Sequence, residues 1–360
     1  MSQEAIFFGI FLVFICLVLA LDLGLLSKSP GSKPVTFKNA FAWTAVWVSF
    51  ALIFFLFLRQ AGQLVHGIHS QAMLEQVTGK YQSDMKFTSG AFEENLAHYR
   101  DRISLDFLTG YFIEYSLSVD NLFVILLIFN SFSVPSRYHK RVLLWGVIGA
   151  VVLRMAFIFS GSLLISSFSW VMYIFGAFLI YSGIKILLQG EEEETMDVDK
   201  HPVVRFTSKY FRVWPDYVKG KFFFRKDGKK FLTPLFIVLL VVEFSDLIFA
   251  VDSVPAIFAV TKDPFIVFFS NIFAIMGLRS LFFLLSNVMH LFTYLKYGLG
   301  VLLTFIGVKM LFEHWFASIG FNNFVSLMIV VGILAVSILL SVAFPAKKSI
   351  NRDKAPDHRI

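Results

Sequence analysis

The chain has 360 residues, of which 57% are hydrophobic and only 16% charged, with 45 phenylalanines and a net charge of +7. A soluble protein of this size cannot cover that much apolar surface. The composition therefore excludes a cytosolic enzyme, a nucleic-acid binder and a disordered chain, and it predicts an all-α polytopic membrane protein embedded in a lipid bilayer. The single cysteine, Cys16, lies in an apolar run and rules out a disulfide framework.

Apolar runs long enough to cross a bilayer predict nine spans, at about 5–26, 38–60, 103–132, 140–166, 168–188, 232–260, 264–290, 294–316 and 321–344. Two nearly continuous runs are divided at Ser-Phe-Ser-Trp (167–170) and near Thr293. The run at 103–132 is long, so it is expected to tilt or to be interrupted. The first run carries Glu4 and no Lys or Arg ahead of it, which reads as a retained helix rather than a cleaved signal peptide. By this reading residues 1–60 hold the first two spans, and 61–102 form a polar outer loop. Residues 189–231 form a charged cytoplasmic loop that opens with Glu191 to Glu194 and ends in a basic stretch through Lys230. Residues 317–345 hold the ninth span and 346–360 a basic tail.

Lys and Arg accumulate on the cytoplasmic side of membrane proteins. With the N-terminus outside, the inner segments carry 22 of them and the outer segments six, the other four being Arg154, Lys185, Arg279 and Lys309 within spans. The expected orientation is N-out, C-in.

The chain also resembles itself. Phe-Ile-Glu-Tyr-Ser-Leu-Ser-Val-Asp-Asn (112–121) aligns without gaps on Phe-Ser-Asp-Leu-Ile-Phe-Ala-Val-Asp-Ser (244–253), setting Glu114 on Asp246, Asp120 on Asp252 and Asn121 on Ser253. Leu153-Arg154 then matches Leu278-Arg279. The pattern Gly-x6-Gly-x-Lys occurs at Gly176, Gly183, Lys185 and again at Gly300, Gly307, Lys309. Spans 3-4-5 (103–188) thus recur as spans 6-7-8 (232–316). An odd number of helices per copy makes this a 3+3 inverted-topology repeat, an arrangement that places transporter sites near the midplane.

A charge at the bilayer centre costs roughly 2.5–3.5 kcal/mol on insertion scales. Five acids are expected at depth: Glu114 and Asp120 in span 3, and Glu243, Asp246 and Asp252 in span 6, with Asp22 near the inner end of span 1. Arg154 and Arg279 are their candidate charge partners, and two cations leave at least three acids over. Glu243 and Asp246 share a helix face. Glu114 and Asp120, like Asp246 and Asp252, are six residues apart and converge only if the helix breaks or a neighbouring helix fills the angle. Pro255 frees backbone carbonyls beside them, while Ser116, Ser118, Asn121, Ser245, Ser253 and Asn271 add neutral oxygens. Carboxylate, carbonyl and hydroxyl ligands without His or Cys suit Mg(II), Ca(II) or Mn(II) and disfavour Cu(I) and Zn(II). The candidate metal-site residues are Glu114, Asp120, Glu243, Asp246, Asp252, Asp22, Asn121 and Ser253. No tightly bound cofactor is expected; the ion is cargo, with protons as a coupled ion.

Glu-Tyr-Ser-Leu-Ser-Val-Asp-Asn in span 3 is similar to a signature segment of the TerC/Alx family of bacterial membrane proteins, as is Glu-Phe-Ser-Asp-Leu-Ile-Phe-Ala-Val-Asp-Ser-Val-Pro-Ala-Ile in span 6. Asn-Ile-Phe-Ala-Ile-Met-Gly-Leu-Arg-Ser-Leu (271–281) and Ala-Leu-Asp-Leu-Gly (20–24) continue the likeness, which covers most of 1–345. The resemblance implies manganese efflux across the cytoplasmic (inner) membrane, serving metal loading of exported proteins. It also brings a family name drawn from tellurite resistance, which an acid cluster explains only indirectly. The alternative function is a non-transporting scaffold or assembly factor whose charges pair structurally. An enzyme is not expected, for the chain has no intramembrane His-Glu-x-x-His, Gly-x-Ser-x-Gly or paired Gly-Asp motif.

Overall fold

The computed structural model describes residues 3–22, 37–82, 85, 91–168, 170–188, 201–288, 294–318, 321 and 323–343. The expected division near Thr293, the Glu191–Glu194 run and the basic tail lie outside the described residues, as do the side chains of Asp22 and Asp120.

The protein is an all-α multi-pass integral membrane protein. Six helices are long and apolar enough to cross a bilayer. They are α2 (Phe37–Ala61), α5 (Phe92–Ser131), α6 (Ser136–Ser167), α7 (Val171–Leu188), α9 (Pro234–Phe258) and α14 (Asn323–Ala343). The pair α10 (Pro264–Met276) and α11 (Leu278–Val288) makes a seventh if taken as one span, bent by 42° at Gly277. Two apolar helices are shorter: α1 (Gln3–Asp22), whose apolar part is Gln3–Val18, and α12 (Leu295–Leu311), with 17 residues. Outward faces carry Leu, Ile, Val and Phe, for example Ile53, Leu163 and Val342, as a lipid solvent permits.

The two polar loops are more ordered than the sequence suggested. The first, 61–102, holds α3 (Gln63–His66), α4 (Gln71–Tyr81) and the first turns of α5. The long run at 103–132 is one uninterrupted helix that begins at Phe92. No Pro or Gly stands between Ala91 and Thr109, and Glu93 and Glu94 occupy its first turn, where the helix dipole favours acids. The second, 189–231, contains α8 (Pro202–Tyr210) and most of a hairpin, β1 (Phe223–Lys226) paired antiparallel with β2 (Lys229–Leu232). Asp227 and Gly228 close that hairpin with φ of 51° and 70°, the two left-handed residues a type I′ turn requires. Short α13 (Glu313–Ser318) precedes α14.

Packing explains the phenylalanines. Phe11, Phe54, Phe107, Phe268, Phe269 and Phe273 interlock between α1, α2, α5 and α10, with ring centroids 4.4 Å apart for Phe11–Phe269 and 4.8 Å for Phe54–Phe273. A second core joins Leu122, Phe129, Val238 and Phe282. The break at Ser167–Trp170 falls where the sequence put it, between α6 and α7. Pro255 does not break α9; the helix runs through it.

The closest helix pair is α7 with α12. A Cβ on Gly183 would lie 2.6 Å from the carbonyl of Gly300, and one on Gly300 would lie 2.9 Å from that of Gly183. Likewise a Cβ on Gly307 would lie 2.7 Å from the Gly176 carbonyl. In lipid, where no hydrophobic force pulls helices together, small residues that let backbones touch supply the contact. Gly183→Val is therefore expected to lower the thermal midpoint in detergent, at an overpacking cost of about 1–3 kcal/mol. Gly79→Ala, in α4 with nothing within 4 Å of its Cβ position, should be neutral or stabilising by up to about 1 kcal/mol. Equal midpoints for the two variants would contradict this.

Candidate functional site

Four helices meet at one side chain. Arg154 of α6 is fully buried, and polar groups from α5, α9 and α10 surround it. Its Nη1 donates to Glu114 of α5, to Asn271 Oδ1 of α10 at 2.6 Å and to Ser253 Oγ of α9 at 3.4 Å. Its Nη2 donates to Asp246 Oδ1 of α9 at 3.2 Å. Ser118 Oγ, one turn on from Glu114, donates to the same carboxylate at 3.3 Å. Glu114, Ser253 and Asn271 are as buried as the arginine, while the Asp246 side chain is 15% exposed.

Asp246 and Asp252, six residues apart, do not converge at the arginine; Glu114 and Asp246, one from each helix, do. Neither α5 nor α9 breaks; α6 supplies the guanidinium that bridges them. The cluster is not electrically balanced, since two carboxylates share one cation. Nor is it saturated: among the described residues Glu114 Oε2, Asp246 Oδ2 and Arg154 Nε find no hydrogen-bond partner, and the same holds for Ser116 Oγ and Asn121 Nδ2 of α5. Such atoms are uncommon in protein interiors and need a physical account.

The other predicted residues are placed differently. Asp252 turns away from Arg154 and accepts from Ser182 Oγ of α7 at 3.0 Å. Glu243 is half-buried, its carboxylate lying against the Cα of Gly149 in α6, where any side chain would collide with it. Arg279 is half-buried in α11 just past the bend. Ser245 bonds back to the Val241 carbonyl at 2.9 Å within its own helix. Asp120 lies on α5 and Asp22 ends α1. Among the described residues no three His, Cys, Asp or Glu side chains stand close enough to hold a metal by themselves; the Arg154 cluster offers two carboxylates, an amide oxygen and a hydroxyl.

Sequence reasoning missed a second buried charge cluster. His66, at the end of α3, has a carboxylate 2.8 Å from each ring nitrogen: Glu4 at Nδ1 and Asp263 at Nε2. Asp263 is also the N-cap of α10, accepting from Phe265 N at 2.9 Å, ahead of Pro264 at the first helical position. That Asp-Pro pair was the one visible signal; its histidine partner lies 197 positions away. Asp106 is buried and lines a polar pocket with Arg102, Lys262 and Lys309.

Residues 99–349 match the family described as Integral membrane protein TerC family. The chain belongs to the TerC family. It is 44% identical over 92% of its length to a relative from Escherichia coli K12, covering 93% of that protein, which is named "Putative membrane-bound redox modulator Alx". A Salmonella typhi relative of the same name is 41% identical over 92% of this chain and 92% of its own. A Myxococcus xanthus relative, named "Uncharacterized membrane protein STKORF319", is 40% identical over 92% of this chain and 90% of its own. No solved structure matches. The TerC match takes in α5 through α14, and so includes Glu114, Arg154, Asp246 and Asn271 but not α1 to α4.

The His66 cluster of this TerC-family protein yields a pH prediction. Burial alone would lower the His66 pKa, but the carboxylates of Asp263 and Glu4 outweigh it and raise it to about 9. The folded protein thus holds the proton more tightly than the unfolded chain does. The stability this contributes is complete below about pH 6.5 and is lost as the pH rises through 9. The thermal midpoint of purified protein should fall by several degrees between pH 6.5 and 9.5, and a large part of that fall should vanish in His66→Gln. An unchanged pH profile in that variant would contradict the assignment.

Proposed function

We propose that this protein is a secondary transporter that exports divalent cations across the bacterial cytoplasmic membrane, Mn(II) first among them, with Ca(II) and Mg(II) as the chemical alternatives. One observation carries the reading. In the interior of a multi-pass membrane protein, a buried and a largely buried carboxylate share one guanidinium, and each keeps an oxygen without a hydrogen-bond partner among the described residues. Excess negative charge there costs insertion energy, and an oxygen-rich, His-free set of ligands fits hard divalent ions. The choice of manganese and of the outward direction draws on the TerC resemblance. Protons are the natural coupled ion, carried by Glu243 and Asp252 outside the arginine's reach.

The reading includes nine spans, counting α1, α12 and the bent α10–α11 pair, with the N-terminus outside. It also includes the inverted repeat. The support for the repeat is reciprocity: Gly176 meets Gly307 while Gly183 meets Gly300, as two copies related by an in-plane two-fold axis would. The aligned acids Glu114 and Asp246 sit on opposite sides of one guanidinium. The relative's name speaks of redox modulation; with Cys16 alone this chain holds no thiol pair, so on this reading a redox effect arises through the metal that is moved.

A second reading is favoured by the arginine itself: Arg154 engages four polar partners, as a structural clamp in a non-transporting scaffold would. Total cellular Mn, Ca and Mg, measured with the protein overproduced, separates the two, and a transporter should lower Mn. Asp120→Asn and Asp252→Asn should each abolish that change at normal abundance. Breaking a purely structural pair costs about 3–5 kcal/mol, so under the scaffold reading Glu114→Gln and Asp246→Asn would accumulate poorly, and a paired Arg154→Gln would restore them. Normal metal content with the wild-type protein refutes the export reading, and normal transport in both Asn variants refutes a role for Asp120 and Asp252 in it.

Orientation has its own check. In a Cys16→Ala background, Ile350→Cys should resist a membrane-impermeant thiol reagent in intact cells. Labelling from outside would refute N-out, C-in.

A further inference from the structure

We propose that Arg154 is a tethered counter-cation: in the structure described, its guanidinium occupies the cage where a divalent cation binds, and the ion enters that cage by displacing it. The inference takes its choice of ion from the transport reading above.

Three features separate this role from a plain structural salt bridge. The first is the match of donors to acceptors. Guanidinium groups frequently pair with a carboxylate through two parallel bonds. Here each carboxylate is engaged through one oxygen, so among the described residues Glu114 Oε2 and Asp246 Oδ2 are left over on one side and Arg154 Nε on the other. Nη1, with two hydrogens, is meanwhile approached by three oxygens, from Glu114, Asn271 and Ser253. Acceptors crowd one atom of the arginine as they would crowd an ion.

The second is charge. One guanidinium leaves the two carboxylates with an excess of one negative charge, whereas a divalent cation balances them completely. Both carboxylates, the Asn271 amide oxygen and the Ser253 hydroxyl are hard oxygen donors of the type Mn(II), Mg(II) and Ca(II) take. A guanidinium left with its own Nε unsatisfied gives way more readily than one with every donor engaged.

The third is mobility and access. The four oxygen donors stand on α5, α9 and α10, which pack against one another, so the cage is fixed while the cation in it sits at the end of a long side chain. Of the cage residues, Asp246 alone retains exposure, 15% of its side chain, and marks the way in. A tethered cation of this kind gives the carrier a stable ion-free state. It also keeps the empty cage from binding its cargo so tightly that release becomes slow.

The test uses the full-length protein purified in detergent and Mn(II) alone as probe, with free Mn(II) read from its six-line electron paramagnetic resonance signal. Arg154→Gln should bind Mn(II) at least tenfold tighter than wild type and lose that gain when Glu114→Gln is added. In cells its export should fall to background, because nothing returns to expel the ion. Arg154→Lys keeps a tethered charge with fewer donors and should bind several-fold tighter than wild type; it carries the test if Arg154→Gln does not accumulate. Wild-type affinity in a monodisperse Arg154→Gln preparation overturns the inference, as does wild-type affinity in Arg154→Lys where that is the folded variant. If wild-type protein leaves cellular Mn unchanged while the variants bind more tightly, the export reading fails and the role of Arg154 stands. If wild-type protein exports Mn and the variants bind no more tightly, the inference alone fails.

Discussion

One guanidinium in a dry interior organises the centre of this protein. Removing a charge from water costs several kcal/mol even after relaxation, and Arg154 is wholly buried. It persists there because α5, α9 and α10 each bring an oxygen to it. The constraint runs outward: α5 and α9 must present Glu114 and Asp246 at one depth, and α10 must present Asn271. The long unbroken α5, the Pro234 start of α9 and the Asp263–Pro264 start of α10 fix those depths.

A second site repeats the logic with different chemistry. His66 sits between two carboxylates, one from the first turn of α1 and one from the cap of α10. It thereby ties the N-terminal helix to the helix that carries Asn271. An imidazolium gives up its proton within the accessible pH range and a guanidinium does not. The His66 tie is therefore sensitive to pH, whereas the Arg154 cluster keeps its cation at any pH a cell meets. The two buried cations share α10, and they answer to different conditions.

Much of this was legible in the sequence because bilayers impose a simple code. Apolar length marked the helices that cross, and the Ser-Phe-Ser-Trp break fell where α6 hands over to α7. The self-alignment paired Glu114 with Asp246, and these are the two acids that meet at Arg154. The two Gly-x6-Gly patterns marked the faces along which α7 and α12 touch. What escaped were matters that period and composition do not encode. Polar stretches 61–102 and 189–231 read as loops because the helices and hairpin among their described residues are stabilised by caps and turns, such as Asp227-Gly228, rather than by apolar runs. The bend at Gly277 leaves no mark on hydropathy. The His66 cluster draws on positions 4, 66 and 263, and no local pattern joins them. The sequence also grouped Asp252 with Asp246, although six residues around a straight helix put them on different faces, so Asp252 meets Ser182 instead.

That separation of acids bears on how a carrier could work here. A single pool of five carboxylates would bind a divalent ion too firmly to release it. The structure distributes the four it describes instead. Glu114 and Asp246 lie around the guanidinium, Glu243 lies against Gly149, and Asp252 lies at the α7 face beside Ser182. On the transport reading, an ion passing between such sites would exchange a few oxygens at a time, so no step would strip its whole coordination shell at once. Gly149 bears on this directly: the Glu243 carboxylate occupies the space a side chain there would fill, so α6 gives way at that height to an acid that Arg154 does not hold. On the transport reading, the fixed helices set the distances between stations, and the one long, imperfectly satisfied arginine decides when the innermost station is open.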